Sequence, residues 1–460
     1  MELGDCQNLV VWFDDAQDEV WGRFVEREWR GDPFRISGEG GAAGPAAVAY
    51  NVGRHLWLVT WPVPSDAGDL DIVGRFVQCA ALEGDVFAIT DGELADDQVA
   101  VAAHGEGFAV AWRRSSDTNS MVMGAFVAGQ QSRGEAIIED GQASEPAVAC
   151  EAAEPCLIVW SQTVEGQRDV IGRWWWPREE VAGNDFLPVA AGEVDEYEAA
   201  VAWNGADGVE GYLVTWTAGP ADASAIWARA YGATGVSGTQ RDAYHALTDA
   251  FGLGDLEPAR QSDVTRLGHH FVVVWSEAAR GEAEIRGQLV LVRREGEPAT
   301  GAVVDVSRPV IDFPPTDSYP AVAWSGESLA LVVWQSQTQA PDDPGEVYGR
   351  QRLFGGRIEI EGRVTSRRPA SATALDPFAN RVRLDVAVER VLKGRFSCST
   401  ARVYFDVDAA SESFDVGDRV RVAGDPSASG DECGLDVGAD GTSIAAAGVE
   451  RRYAPSALTP

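Results

Sequence analysis

Lysine is almost missing from this chain: Lys393 is the only one in 460 residues, beside five histidines and three methionines. Basic side chains are outnumbered by acidic ones, 37 to 72, for a net charge of −35. A surface that negative repels phosphate backbones and excludes nucleic acid as a partner. Cations and basic proteins are the partners it favours. No apolar run approaches the ~20 residues of a membrane helix; the longest are strand-sized, such as Phe271 to Trp275. Residues Met1 to Gln7 carry neither a basic region nor an apolar core, so no signal peptide is expected there. The chain is then either cytoplasmic or a mature or truncated form. Gly-x-Ser-x-Gly, His-Glu-x-x-His and phosphate-loop motifs are all absent.

Cysteine is scarce but even in number, which allows three disulfides. Cys150 and Cys156 flank a tight hairpin. Cys398 and Cys433 lie together near the C-terminus, leaving Cys6 and Cys79 to pair near the N-terminus. With no CxxC or histidine-rich spacing, zinc is disfavoured. Three disulfides would place the protein outside the cell or on its surface.

What the chain has in plenty is a repeat. A strand-like phrase ending in tryptophan recurs seven times, at Trp12, Trp61, Trp112, Trp160, Trp216, Trp275 and Trp334, spaced by 49, 51, 48, 56, 59 and 59 residues. Upstream of most copies stands a short strand, Pro-Ala-Val-Ala at Pro146 to Ala149 and Pro320 to Ala323, with looser copies elsewhere. Downstream comes a third strand centred on Gly-Arg: Gly22-Arg23, Gly74-Arg75, Gly172-Arg173 and Gly349-Arg350. Several units close on a fourth apolar strand, such as Phe87-Ala88-Ile89. Four short strands in a ~50-residue unit describe a propeller blade. Neighbouring blades cover both faces of each sheet, which explains unbroken runs such as Val-Val-Val-Trp. The reading is all-β: a seven-bladed β-propeller over residues 1–356. The first unit lacks its first strand. Either Pro369 to Ala372 completes it or residues upstream are missing.

The unit resembles bacterial secreted propeller repeats that read Pro-Ala-Val-Ala-Trp-Asn-Gly, Leu-Val-Val-Trp, Asp-Ile-Tyr-Gly-Arg. Pro320 to Gly326, Leu331 to Trp334 and Glu346 to Arg350 carry the closest match, and the strand order is similar to TolB-like propellers. The resemblance spans residues 8 to 360 and implies fold; it is nearly silent on function. The Ser-x-Asp-x-Gly-x-x-Trp box of sialidase-type propellers is absent. Residues 357–460 read as a small OB-like β-barrel of five strands ending in a flexible tail. Phe414 to Gly424 looks like an OB-fold strand entry, but the candidate strands carry few aromatics for stacking bases.

Loops joining second and third strands share one rim and are acidic: Asp14, Asp15 and Asp18; Asp66, Asp69 and Asp71; Asp342, Asp343 and Glu346. Units 7, 1 and 2 adjoin in a ring, so these form one negative arc. Calcium is the cation such an arc would take, and a solvated acidic rim is the alternative. The recurring acidic residue three before the central glycine and the arginine after it read as a structural staple between blades. His55, His104, His269 and His270 fall in turns on the opposite rim and read as exposed. Trp174, Trp175 and Trp176 suggest an aromatic patch for sugar or protein, since alternation should leave one ring outward, with burial between blades or against a neighbouring domain as the alternative. With no nucleophile motif, the expected function is a non-enzymatic extracellular binding or assembly platform, with the barrel as docking module. The alternatives are a structural subunit of an extracellular assembly and a carbohydrate-active propeller enzyme using carboxylates.

Overall fold

The structure is a computed structural model. It describes residues 8–25, 31–38, 41–65, 68–79, 81–150, 155–205, 211–233, 244–254, 258–268, 270–279, 282–292, 298–301, 303–307, 316–324, 329–337, 346–353, 358–369, 381–393, 400–406, 419–426, 434–437 and 443–446. Every regular element among them is a strand. The chain divides into two compact units, residues 1–298 with 302–352, and residues 353–460 with 299–301.

In the first unit seven antiparallel sheets follow one another along the chain, the blades of a seven-bladed propeller. Blade 1 holds Asn8–Asp14, Glu19–Val25 and Phe34–Arg35. Blades 2, 3 and 4 begin at Ala47–Asn51, Ala95–His104 and Ala143–Cys150, and each runs outward in strand order through four strands. Blades 5, 6 and 7 begin at Glu196–Asn204, Ala259–Leu267 and Thr316–Trp324. First strands of successive blades from 2 to 7 touch one another, so they form the inner wall around the axis.

Two-faced burial shows most clearly in blade 4. Leu157 and Val159 pack towards Tyr212, Val214 and Trp216 of blade 5. Their neighbours Ile158 and Trp160 pack the other way, against Ala109, Ala111 and Ile138 of blade 3. Each such aromatic removes about 150–250 Å² from water, worth on the order of 4–6 kcal/mol before ordering costs. Six of the seven repeat tryptophans are at most 8% exposed, whereas Trp12 is half-buried. Blade 1 accounts for the difference, because among the described residues no first strand pairs with Asn8–Asp14. The candidate for that place is drawn elsewhere at its start: Pro369 ends a strand of the second unit, opposite Val382, and residues 370–372 lie outside the described residues.

The central glycines are demanded by close approach. A Cβ on Gly22 would stand 2.6 Å from Ile36 Cδ1, and one on Gly124 would stand 3.2 Å from the Trp175 ring of the next blade. The arginine beside the glycine does staple blades. Arg75 donates from Nη1 to the Ile36 carbonyl of blade 1 (2.9 Å) and from Nε to Gly84 of its own blade. Arg173 repeats this with Ile138 of blade 3 and Gly183, and Arg229 reaches Val189 of blade 4 (2.9 Å). The acidic partner bonds elsewhere: Glu19 pairs with Arg35 at 2.7 Å and accepts the Trp21 indole N–H.

Cys150 and Cys156 are bridged, closing the blade 4 hairpin where they pair across its strands. The expected Cys6–Cys79 bridge is corrected. Cys79 is a free thiol packed against the core shared by blades 1 and 2, and Cys6 lies outside the described residues, as do Cys398 and Cys433.

In the second unit, Ile358–Pro369 pairs with Arg381–Lys393, which pairs with Thr400–Asp406. Thr400–Asp406 runs parallel to Gly434–Val437, which meets Arg419–Pro426, and that strand returns to Ile358–Pro369. The sheet therefore closes on itself. Ser443–Ala446 adds to Arg419–Pro426. Gly434–Val437, four residues long, is a strand beyond the five expected.

Replacing Arg75 or Arg173 by alanine strands two carbonyls, one on each blade, and should lower stability by about 1–3 kcal/mol. Arg→Lys should restore at most one of the two bonds. Denaturant unfolding of the whole chain measures this; wild-type stability in both alanine variants would remove the staple.

Candidate active site on the inner wall

Five inner strands carry the same irregularity. Their pairing with the second strand slips between Asp97 and Ala100, Ser144 and Ala147, Tyr197 and Ala200, Arg260 and Asp263, and Ser318 and Ala321. At each slip one residue takes a left-handed backbone: Gln98 (φ 50°), Glu145 (54°), Glu198 (54°), Gln261 (57°) and Tyr319 (50°). A bulge takes its extra residue out of the ladder and leaves that N–H without a sheet partner.

The preceding blade supplies one. The Glu145 N–H donates to Gln98 Oε1 (2.8 Å), the Glu198 N–H to Glu145 Oε2 (3.2 Å), the Gln261 N–H to Glu198 Oε2 (2.9 Å), and the Tyr319 N–H to Gln261 Oε1 (3.1 Å). Four consecutive junctions are thus joined in one direction. In blade 2 the corresponding residue is Pro45, which has no N–H to satisfy.

Glutamine makes this bond as well as glutamate does, so carboxylates at 145 and 198 exceed what the wall requires. Around them stand further polar groups. Ser161 Oγ donates to Glu145 Oε2 (3.2 Å) and Thr217 Oγ1 to Glu198 Oε2 (3.0 Å). Arg113, paired with Asp97 at 2.5 Å, lies within electrostatic reach of Glu145, and Arg260 within reach of Glu198. Burial holds the Glu198 carboxyl above its ordinary range, and the Glu145 charge adds to this; the bonds from Gln261 and Thr217 and the Arg260 charge oppose it. Further along the wall, Asp263 occupies a place held by Ala100, Ala147, Ala200 and Ala321 in other blades. It accepts from Val322 N and Val264 N, both at 2.8 Å, and burial pushes it up to about 6.

The residues that the sequence singled out are held in other ways. Asp14 caps its own turn through Ala16 N and Gln17 N, while Asp15 and Asp18 point to solvent. Asp69 bonds Ser65; Asp71 is raised by burial and by Asp69 and Asp96. Glu346 accepts from Tyr348 Oη at 2.8 Å. Asp66, Asp342 and Asp343 lie outside the described residues. Among the described residues no three His, Cys, Asp or Glu side chains are grouped as metal ligands.

The tryptophan run is corrected from an open patch to core. Trp174 and Trp176 are buried against blade 5 and Trp175 against blade 3, so alternation points each ring at a neighbouring blade and none at solvent. Of the histidines, His55 is exposed, but His104 is fully buried, edge-on to Phe126 with centroids 5.8 Å apart. Burial and the Arg178 charge lower it to about 4. His270 is half-buried at the start of its strand and His269 lies outside the described residues.

The residue before each Pro-Ala-Val-Ala copy was the available signal for the inner-wall site. It is a long acceptor, Gln or Glu, in four blades.

Asp71, Glu139, Asp169, Glu196, Glu198 and Asp263 are all raised, each chiefly by burial. A raised carboxyl binds its proton more tightly folded than unfolded. Its stabilisation is complete below the unfolded value and is lost as pH climbs through the folded one. For Asp263 that window runs from 3.8 to about 6. His104, lowered from 6.5 to about 4, acts oppositely. From pH 8 to pH 5 the wild-type thermal midpoint should therefore gain on those of Asp263→Asn and Glu198→Gln, each of which lacks one raised carboxyl. A difference between wild type and variants that stays constant over that range would contradict the assignment.

No protein-family model matches the chain, and no curated protein matches it. Solved structures do share its architecture. A protein of unknown function from Dyadobacter fermentans is 12% identical with a TM-score of 0.46, covering 68% of this chain and 95% of its own. A thermostable family-43 glycoside hydrolase is 11% identical (TM-score 0.35; 58% and 92% covered). An α-L-arabinofuranosidase from Lactobacillus brevis is also 11% identical (0.34; 56% and 90%). Likeness at this distance speaks to fold. The expectation of a non-enzymatic platform is corrected: several of the similar structures are named as glycoside hydrolases, an activity that is theirs.

Proposed function

We propose that the protein is a carbohydrate-active propeller enzyme that works at its inner wall, with Glu145 and Glu198 as the reacting carboxyl pair. The observation that carries this is the surplus of charge. Gln98 and Gln261 make the same inter-blade bond, yet two adjacent blades between them carry half-buried, mutually repelling carboxylates. Repulsion and desolvation cost stability, and a pair of carboxyl groups in unlike environments is what glycosidic bond cleavage needs.

Glu198, biased towards its protonated form, supplies the proton to the departing glycosidic oxygen. Glu145 is the companion, either activating water or attacking the anomeric carbon; the separation of the two carboxyls around a bound sugar selects between these outcomes. Thr217 and Arg260 tune Glu198. The bridged Cys150–Cys156 pair suits work outside the reducing cytosol.

A screen of aryl glycosides and oligosaccharides tests the reading. Glu198→Gln should lower the rate on an active substrate by about 10²–10⁴-fold, and Glu145→Gln by a comparable factor. Both variants keep the inter-blade bond, so their melting points should not fall. Activity in the double variant equal to wild type would refute the pair.

A further inference from the structure

Tyr319 stands apart from the other bulge residues. Gln98, Glu145, Glu198 and Gln261 each turn a side-chain oxygen to the next blade, but Tyr319 has no such acceptor to offer, and its ring is 66% exposed, more than any other large apolar side chain described. It also sits in a left-handed backbone, φ 50°, that bulky residues avoid. Its N–H is anchored by Gln261, so backbone and Cα are held while the ring is left open. An aromatic that packs little and strains its backbone contributes nothing evident to folding.

We infer that Tyr319 is the stacking platform of the inner-wall site, and that the sugar laid on it is uncharged or bears an amino group. The inference rests on the carbohydrate reading above. A flat aromatic face beside Gln and Glu side chains matches a pyranose, which has an apolar C–H face and a rim of hydroxyls. The charge of the sugar follows from its surroundings. Glu145 and Glu198 lie along the same wall, Arg113 is already paired with Asp97, and the chain carries a net −35. A uronic or sialic acid would enter that field against repulsion, and Arg260, the exposed arginine beside Gln261, already faces the Glu198 charge, whereas an amino group would be drawn in.

Saturation-transfer NMR and calorimetry on the full chain test this with four probes: chito-oligosaccharides with free amino groups, neutral manno- and xylo-oligosaccharides, oligogalacturonate and sialyllactose. The expected result is binding of a neutral or amino-bearing probe. Tyr319→Asn, which suits the left-handed backbone, should weaken it about tenfold or more, and Tyr319→Phe should bind within about threefold of wild type. Melting curves of both variants establish that the fold is intact. No sugar bound by the wild type, equal binding by Tyr319→Asn, or preference for the anionic probes would each overturn the inference. Tyr319-dependent binding without hydrolysis would leave it standing and remove the enzymatic reading instead.

Discussion

Where an inner strand of this propeller bulges, the sheet can no longer supply a partner for one backbone N–H. Where that group is buried, leaving it without an acceptor costs about 1–3 kcal/mol. A side chain with an oxygen two methylenes from Cα reaches across from the preceding blade. Glutamine and glutamate have that reach, and they are what the wall uses at four junctions. The left-handed backbone at each bulge and the row of polar side chains along the inner wall accompany this requirement.

The same geometry explains how a reactive pair can be held without a separate scaffold. Residues at matching positions of adjacent blades are fixed by bonds on both sides, backbone to one neighbour and side chain to the other. Changing glutamine to glutamate adds acid–base capacity while leaving the architecture untouched. Its cost is electrostatic, seen in the upward displacement of Glu198. Asp263 repeats the pattern one blade on, a carboxyl in a position that alanine fills elsewhere.

The blades were legible in the sequence because their signal is periodic: a tryptophan strand that must be apolar on both faces, and a glycine that must let a neighbour approach. The arginine staple could be read for the same reason, since a residue repeated in most units points to a contact repeated in most units. The candidate site was not. Its members lie at corresponding positions but differ in identity, and only the slip in pairing brings their side chains into line. The conspicuous charge sits on the rim loops instead, where Asp14 caps its own turn. The Trp174 to Trp176 run left two readings open, an outward patch and burial between blades, and the fold takes the second. Alternating side chains must face opposite ways, but in a blade both ways lead to another blade.

The bonds of the inner wall all point in one direction, and this gives four amides an unusual allegiance. The N–H groups of Glu145, Glu198, Gln261 and Tyr319 are shielded by the blade before them, while the amides around them are shielded by their own sheet. The first set opens when the contact between two blades lets go and the second when a sheet frays. Isotope exchange at those four positions therefore separates two motions that are ordinarily measured together: the breathing of the ring and the melting of its parts.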